Sequence, residues 1–129
     1  MSFILVPERG EDLQVNAWSW RPTLELLRAE GLISEESYER MSAQGAGGLV
    51  DAETADRIAR ALENRLAGMR REERVLADLT VTGGPKAAWV ITPDAKPDDL
   101  DVNDIYSASY EWLMKFAGFC EKSGGFKVY

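Results

Sequence analysis

The hydrophobic and polar positions near the start of the chain alternate as they do in extended strands. This pattern predicts extended segments at residues 3–6 and 13–20, joined by the turn-like sequence PERGED. Successive side chains of a strand point to opposite faces, so Trp18 and Trp20 are expected on the same face. The sequence therefore predicts two tryptophan rings side by side at the end of the second strand.

After Pro22 the apolar residues no longer alternate with polar ones and instead recur with the spacing of a helix. A first helix is expected from Pro22 to Gly31, because proline suits the first turn of a helix and glycine its C-cap. A second helix is expected to begin after Ser34, an N-cap residue followed by acidic side chains, and to run to the glycine-rich positions 45–48. The two helices would meet at a corner near Gly31.

The longest helical pattern begins at Asp51 and continues to Leu79. Unbroken, such a helix would be about 40 Å long, whereas a domain of this size has a radius of gyration of about 14 Å. The helix is therefore expected to protrude, to kink near Gly68 or to pack against another chain, which suggests a homodimer through residues 51–79. Its apolar positions are Ala55, Ala59, Leu62, Leu66, Met69 and Leu76.

The rest of the pattern predicts a strand, a loop and a last helix. AAWVIT at residues 87–92 has the composition of a strand, and an acidic loop follows it over residues 93–103. The last helix is expected to begin at Asp104 or Ser107 and to end at the glycine pair before FKVY, which would form a short terminal strand.

The length and composition of the chain agree with a single domain. The chain has 129 residues, of which 45% are hydrophobic, and this is enough to bury one core. The predicted fold is an α+β single domain, residues 1–129. It is helix-rich, with a small sheet and one long central helix.

The net charge and the absence of histidine exclude several classes of function. The formal net charge of -7 repels phosphate backbones, so no nucleic-acid partner is expected. No stretch has the ~18 apolar residues that span a bilayer, and FILV is too short for a signal peptide. A cytoplasmic protein with no membrane partner is therefore expected, in agreement with Cys120 as the only cysteine. The absence of histidine excludes Ser-His-Asp triads, Cys-His pairs and histidine-ligated metals.

Three patterns resemble functional motifs but have simpler structural interpretations. The acidic loop matches the first three ligand positions of a calcium-binding EF-hand at Asp99, Asp101 and Asn103, yet it lacks the glycine and the bidentate glutamate of such a loop. The predicted helical corner has the outline of a helix-turn-helix, but its second helix is acidic. Cys120 lies on the apolar side of the last helix, where it is expected to be inert. The sequence thus predicts no metal, no cofactor and no catalytic residue.

The stretch NAWSWRP contains the candidate ligand- or partner-binding residues Asn16, Trp18, Trp20 and Arg21. Two tryptophan rings on one face would form a flat amphipathic surface, beside which Asn16 offers an amide and Arg21 a fork for a carboxylate. The alternative is that the tryptophans only fill the core. The expected arrangement is a structural Trp18 and a half-exposed Trp20, with Arg21 bordering a shallow pocket.

Both ends of the chain resemble a family of small bacterial proteins without an assigned function. These proteins combine a W-x-W-R-P opening, which matches NAWSWRPTLELL, with a W-L-x-F-A-x-F-C-x-x-S-G-G-F ending. The stretch EWLMKFAGFCEKSGGF is similar to this ending but has two residues, not one, between Leu113 and Phe116. The resemblance implies a compact cytoplasmic protein. Because its motifs carry no assigned chemistry, no catalytic or binding residue is transferred.

Together these features favour a non-enzymatic binding or interaction module that takes a protein partner or a small ligand. A small enzyme that uses carboxylates as acid and base is the alternative, although no pair of carboxylates stands out by its spacing. An acidic immunity- or inhibitor-type protein that masks a basic partner also agrees with the net charge of -7.

Overall fold

The computed structural model describes residues 2–43, 45, 47–83 and 106–129. Over these ranges the chain has an α+β fold with four helices and two small antiparallel sheets, which confirms the predicted fold class. The elements in chain order are β1 (Ser2–Pro7), β2 (Leu13–Asn16), α1 (Ala17–Ala29), α2 (Glu35–Ser42), β3 (Gly48–Val50), α3 (Ala52–Ala67), β4 (Arg74–Leu76), β5 (Val81–Thr82), β6 (Ser107–Ser109), α4 (Tyr110–Ser123) and β7 (Phe126–Val128).

The larger sheet joins the two ends of the chain. Its strand order is β2-β1-β7-β3, so the predicted terminal strand FKVY is confirmed and lies beside β1. Leu5 is opposite Leu13 on one side and opposite Val128 on the other. All three of these side chains are buried, because alternate residues of each strand face the core. The smaller sheet has the order β5-β4-β6.

Aromatic rings fill the space between this sheet and the helices α1 and α4. Phe116 of α4 packs edge-on against Trp20 of α1, with ring centroids 5.5 Å apart, and against Phe126 of β7 at 6.0 Å. Phe3 of β1 approaches Trp20 at 6.2 Å. Trp20, Phe116 and Phe126 are each almost completely buried, so these rings form the centre of the core.

The first helix begins earlier than the sequence pattern suggested. Asn16 ends β2 and acts as the N-cap of α1, because its side-chain Oδ1 accepts a hydrogen bond of 2.9 Å from the backbone N–H of Ser19. The prediction that an extended segment continues to Trp20 and that Pro22 opens the helix was therefore wrong. Pro22 lies inside α1, where its missing N–H leaves the carbonyl of Trp18 without the usual helical donor.

The corner between α1 and α2 agrees with the prediction. Gly31 adopts a left-handed φ of 69°, and the backbone N–H groups of Gly31 and Leu32 donate to the carbonyls of Arg28 and Leu27. This pair of bonds is the Schellman termination, in which a glycine just beyond the helix satisfies its last carbonyls. Ser34 is the N-cap of α2, as predicted.

The single long helix from Asp51 to Leu79 is not present. Asp51 is the N-cap, as expected, but α3 ends at Ala67 with Gly68 as its C-cap. The chain then turns into β4, which pairs with β5 and β6. The buried stripe of α3 packs along α4, so it does not protrude, and a homodimer through residues 51–79 loses the geometric argument on which it was based.

The last helix also begins later than expected. Ser107 belongs to β6, and Ser109 is the N-cap of α4. The predicted strand at residues 87–92 and the acidic loop at residues 93–103 lie outside the described residues. In the part of the chain that is described, no helix has both the length and the hydropathy needed to cross a membrane.

Candidate functional site

The helical conformation of NAWSWRP separates the two tryptophans. Residues two apart on a helix point about 200° away from each other, whereas on a strand they share a face. Trp20 is 1% exposed and Trp18 is 46% exposed. The expected flat surface of two rings is therefore absent, and the expected burial is reversed, because Trp20 is the core residue and Trp18 the exposed one.

Asn16 has a structural role in this stretch as the N-cap of α1. Its side-chain oxygen caps α1, and the residue is not among the described residues that line the nearby cavity. A role of Asn16 in binding a ligand or partner stays a prediction.

A cavity of about 320 Å³ lies beside Trp20 between β1, α1 and α2. We call it the Trp20 pocket; the described residues that line it are Phe3, Ala17, Trp20, Arg21, Leu24, Tyr38, Ser42 and Tyr106. The sequence predicted a half-exposed Trp20 with Arg21 bordering a shallow pocket, and in the structure both residues line this cavity. Trp20 is among the residues that line the cavity, although it is almost fully buried.

Trp20 is fixed in place by polar and apolar contacts. Its indole N–H donates a hydrogen bond of 2.9 Å to the backbone carbonyl of Met41 at the end of α2, and Phe116 packs edge-on against the ring. A buried indole N–H without an acceptor would be costly. This bond therefore helps to hold α2 against α1.

Arg21 lies at the edge of the pocket and stacks on an aromatic ring. Its guanidinium carbon is 5.0 Å from the centre of the Tyr106 ring, and the ring of Trp18 lies 4.7 Å from that of Tyr106. Trp18, Tyr106 and Arg21 thus form a small cluster at the pocket edge. A cation–π contact of this kind attracts the guanidinium to the ring without neutralising its charge.

Tyr38 lines the pocket and belongs to a network with two side chains outside the described lining, Glu25 and Arg28. The hydroxyl of Tyr38 donates to Oε1 of Glu25, and Arg28 binds the other oxygen of Glu25 at 2.6 Å. The guanidinium of Arg28 also lies 4.1 Å from the centre of the Tyr38 ring. Partial burial raises the pKa of Tyr38 above its usual value, the hydrogen bond to Glu25 raises it further, and the positive charges of Arg28 and Arg21 oppose this increase.

The described lining offers no pair of carboxylates for acid–base chemistry. It has no carboxylate, a guanidinium does not deprotonate in proteins, and the pKa of Tyr38 is raised away from neutrality. Cys120 lies in the core, 1% exposed, and burial raises the pKa of its thiol far above the usual value. The prediction that Cys120 is buried is confirmed, and a thiol in this environment is a poor nucleophile.

The described residues do not contain a cluster of side chains suited to binding a metal ion. Among residues 2–43, 45, 47–83 and 106–129, no group of three or more carboxylate or thiol side chains is placed to hold a metal ion. The loop that carries Asp99, Asp101 and Asn103 lies outside these ranges.

A second, wider depression of about 650 Å³ lies between the β1–β2 turn and α4. Its described lining includes Arg9, Lys115 and Lys122 together with Glu11 and Asp12. Side chains of both signs compete there for one another and for water, so this depression lacks the mostly apolar walls of a typical ligand site.

Several residues of the Trp20 pocket could not be recognised from the sequence. Tyr38 lies on a helix with an acidic, solvent-facing pattern, and only its periodic position opposite the first helix hinted at a contact. Tyr106 directly precedes β6 and had no signal at all. Phe3 and Leu24 lie in segments that were predicted as a strand and a helix, without a role in a site.

Comparisons with known proteins add no further assignment. No family model matches the sequence, no curated protein matches it, and no solved structure matches the chain. The function is therefore argued from the Trp20 pocket.

Proposed function

We propose that this protein is a non-enzymatic binding protein that holds a small, flat organic ligand in the Trp20 pocket. The observation that carries the proposal is the cavity of about 320 Å³ with Trp20, Tyr38 and Tyr106 in its wall. Ligand sites are mostly apolar cavities of about 300–1,000 Å³ with a few convergent polar groups. This cavity is at the small end of the range, which favours a ligand of one or two rings.

The internal hydrogen bonds of the wall support an apolar ligand body. The indole of Trp20 donates to Met41 and the hydroxyl of Tyr38 donates to Glu25, while the hydroxyl of Ser42 donates to the carbonyl of Glu39. Because these donors are used within the fold, a ligand gains little from polar groups placed along the wall. Aromatic and aliphatic surface is what the wall offers.

Preorganisation also supports binding. Trp20 is held by its hydrogen bond and by Phe116, so a ligand does not have to order this ring when it enters. Less ordering on binding means that less of the contact free energy is lost.

A carboxylate-dependent enzyme is less well supported by the same site. General acid–base catalysis needs a titratable group within hydrogen-bond distance of the reacting atoms. The described lining offers no carboxylate for this purpose, a guanidinium is not deprotonated in proteins, and the pKa of Tyr38 is raised above its usual value. The proposed location is the cytoplasm, which the single cysteine of the chain supports because no internal disulfide is formed.

Indole is a suitable probe because it is flat, neutral and small enough for the cavity. We expect a titration followed by two-dimensional NMR to shift the indole N–H signal of Trp20 and the amide signals of Ala17, Leu24 and Tyr38, with a dissociation constant of about 1 mM or tighter. The absence of shifts at these positions up to about 10 mM indole would contradict the proposal.

A blocking variant makes the test specific. Ser42 is exposed and lines the pocket, so Ser42→Phe should occupy its mouth and weaken indole binding by at least about tenfold. Glu39→Phe is the matched control, because it places the same ring on an exposed position of α2 outside the described lining. Equal weakening by both variants would show that the probe binds elsewhere.

A further inference from the structure

We infer that the ligand of the Trp20 pocket is an anion, a carboxylate joined to a flat ring, and that Arg21 is the residue that selects it. This inference rests on the proposed function, since it names the ligand class of that same pocket. It depends on the partners of the arginines, on the position of Glu25 and on the hydrogen-bond donors of the pocket wall.

Arg21 differs from Arg28 and Arg40, the other arginines of α1 and α2. Arg28 pairs with Glu25 and Glu35, Arg40 pairs with Glu36, and Arg65 pairs with Glu30. No carboxylate of the described residues lies within salt-bridge distance of Arg21, whose side chain is exposed at the pocket edge. In a chain with a net charge of -7, an arginine without such a partner at a cavity is a group that can take the anionic end of a ligand.

The natural intrahelical partner of Arg21 is engaged elsewhere. Glu25 lies four residues further along α1, and side chains with this spacing can reach each other. The carboxylate of Glu25, however, accepts hydrogen bonds from Tyr38 and Arg28. Arg21 instead makes a cation–π contact with Tyr106, its guanidinium carbon lying 5.0 Å from the ring centre, and this contact leaves its charge without a carboxylate partner.

The donors of the wall place the negative charge of the ligand at Arg21. Trp20, Tyr38 and Ser42 donate to acceptors within the protein, which leaves the guanidinium of Arg21 and the neighbouring hydroxyl of Tyr106 as the other side-chain donors of the described lining. A planar guanidinium matches a planar carboxylate with two parallel hydrogen bonds. A doubly charged phosphate would call for a second cation, and the described lining contains only this one.

Indole-3-acetate and indole-3-acetamide form the test pair, because they share a shape and differ in charge. Arg21 is exposed, which limits the gain from pairing, so we expect the acetate to bind about five- to tenfold tighter than the amide. This preference should shrink as sodium chloride is raised to about 1 M, since salt screens an exposed pair. Affinities are measured by the same NMR titration as for indole.

Variants of Arg21 assign the preference to its charge. Arg21→Gln should bind indole-3-acetate and indole-3-acetamide with about equal affinity while neutral indole still binds. Arg21→Lys should keep part of the preference for the acetate because the positive charge remains. Arg57→Gln is the matched control, since Arg57 is an exposed arginine of α3 outside the described lining, and it should leave the preference unchanged.

The possible results separate the two proposals. Equal affinities of the acetate and the amide for the wild-type protein, with indole bound in the pocket, would overturn the role of Arg21 and leave the proposed function in place. A preference that survives Arg21→Gln would also overturn it. Failure of indole and both derivatives to bind would overturn the ligand-binding function and the inference together.

Discussion

Arg21 and Glu25 lie one helical turn apart on α1, yet the carboxylate of Glu25 is bound by Arg28 and Tyr38 and not by Arg21. We expect Tyr38→Phe to keep the ring in the pocket wall but to release one oxygen of Glu25. Glu25 should then compete for Arg21 and reduce the preference for indole-3-acetate over indole-3-acetamide. Paired NMR titrations measure this preference.

The double variant Tyr38→Phe/Glu25→Gln is the control for that competition. It removes the competing charge, so the preference should return to the wild-type value. If Tyr38→Phe leaves the preference unchanged, Glu25 does not control the availability of Arg21.

Tyr38 should also make the stability of the protein depend on alkaline pH. Partial burial and the hydrogen bond to Glu25 raise the pKa of Tyr38 above its usual value of 10.0, so the folded chain favours the neutral hydroxyl. This contribution to stability is complete below pH 10.0 and is lost as the pH rises through the folded pKa. Urea unfolding of the wild type and of Tyr38→Phe between about pH 8 and 11.5 should show that their difference in unfolding free energy narrows with rising pH. A difference that is constant over this range would contradict the prediction.

The two tryptophans of NAWSWRP should differ sharply in their contribution to stability. Trp20→Ala removes a fully buried ring and should lower the free energy of unfolding by about 3–5 kcal/mol. Trp18→Ala removes a half-exposed ring that contacts Tyr106 and should cost only about 0.5–1.5 kcal/mol. Urea unfolding measures both, and similar losses for the two variants would contradict the burial described here.

Two glycines near the C-terminus should respond in opposite ways to the same change. Gly125 has a φ of 105°, and an added Cβ would lie 2.9 Å from the carbonyl oxygen of Val50. Gly125→Ala should therefore destabilise the fold by about 1–3 kcal/mol from backbone strain alone. Gly118 lies inside α4 with open space around it, so Gly118→Ala should stabilise the fold by about 0.5–1 kcal/mol. Thermal unfolding of both variants tests this, and a stable Gly125→Ala protein would mean that the chain does not approach β3 as described.

The parts of the fold that were predictable are those that local chemistry determines. Gly31 and Ser34 mark the corner between α1 and α2 because a left-handed glycine and a serine cap act over a few residues. Asp51 marks the start of α3 in the same way.

The wrong predictions arose where one pattern was compatible with two structures. Asn16 can continue a strand or cap a helix, and the alternation from Leu13 to Trp20 hid the cap. After Gly68 the sequence keeps a helix-forming composition, but β4 is selected by pairing with β6, which is distant in the chain.

The candidate site was predictable only in part for a similar reason. Trp20 and Arg21 are neighbours in sequence, so a pocket bordered by both could be expected. Tyr38 and Tyr106 reach the same cavity through tertiary packing, which no periodicity in the sequence encodes.

The central claim, that a flat anion binds in the Trp20 pocket, is tested most directly by locating a bound probe. Intermolecular nuclear Overhauser effects between indole-3-acetate and the protein report contacts within about 5 Å. We predict contacts from the ring protons of the probe to Trp20, Leu24 and Tyr38, with its acetate group towards Arg21. Contacts that fall instead on Met114 and Phe119 at the second depression, or on Ile4 and Tyr129 of the exposed sheet face, would contradict the account.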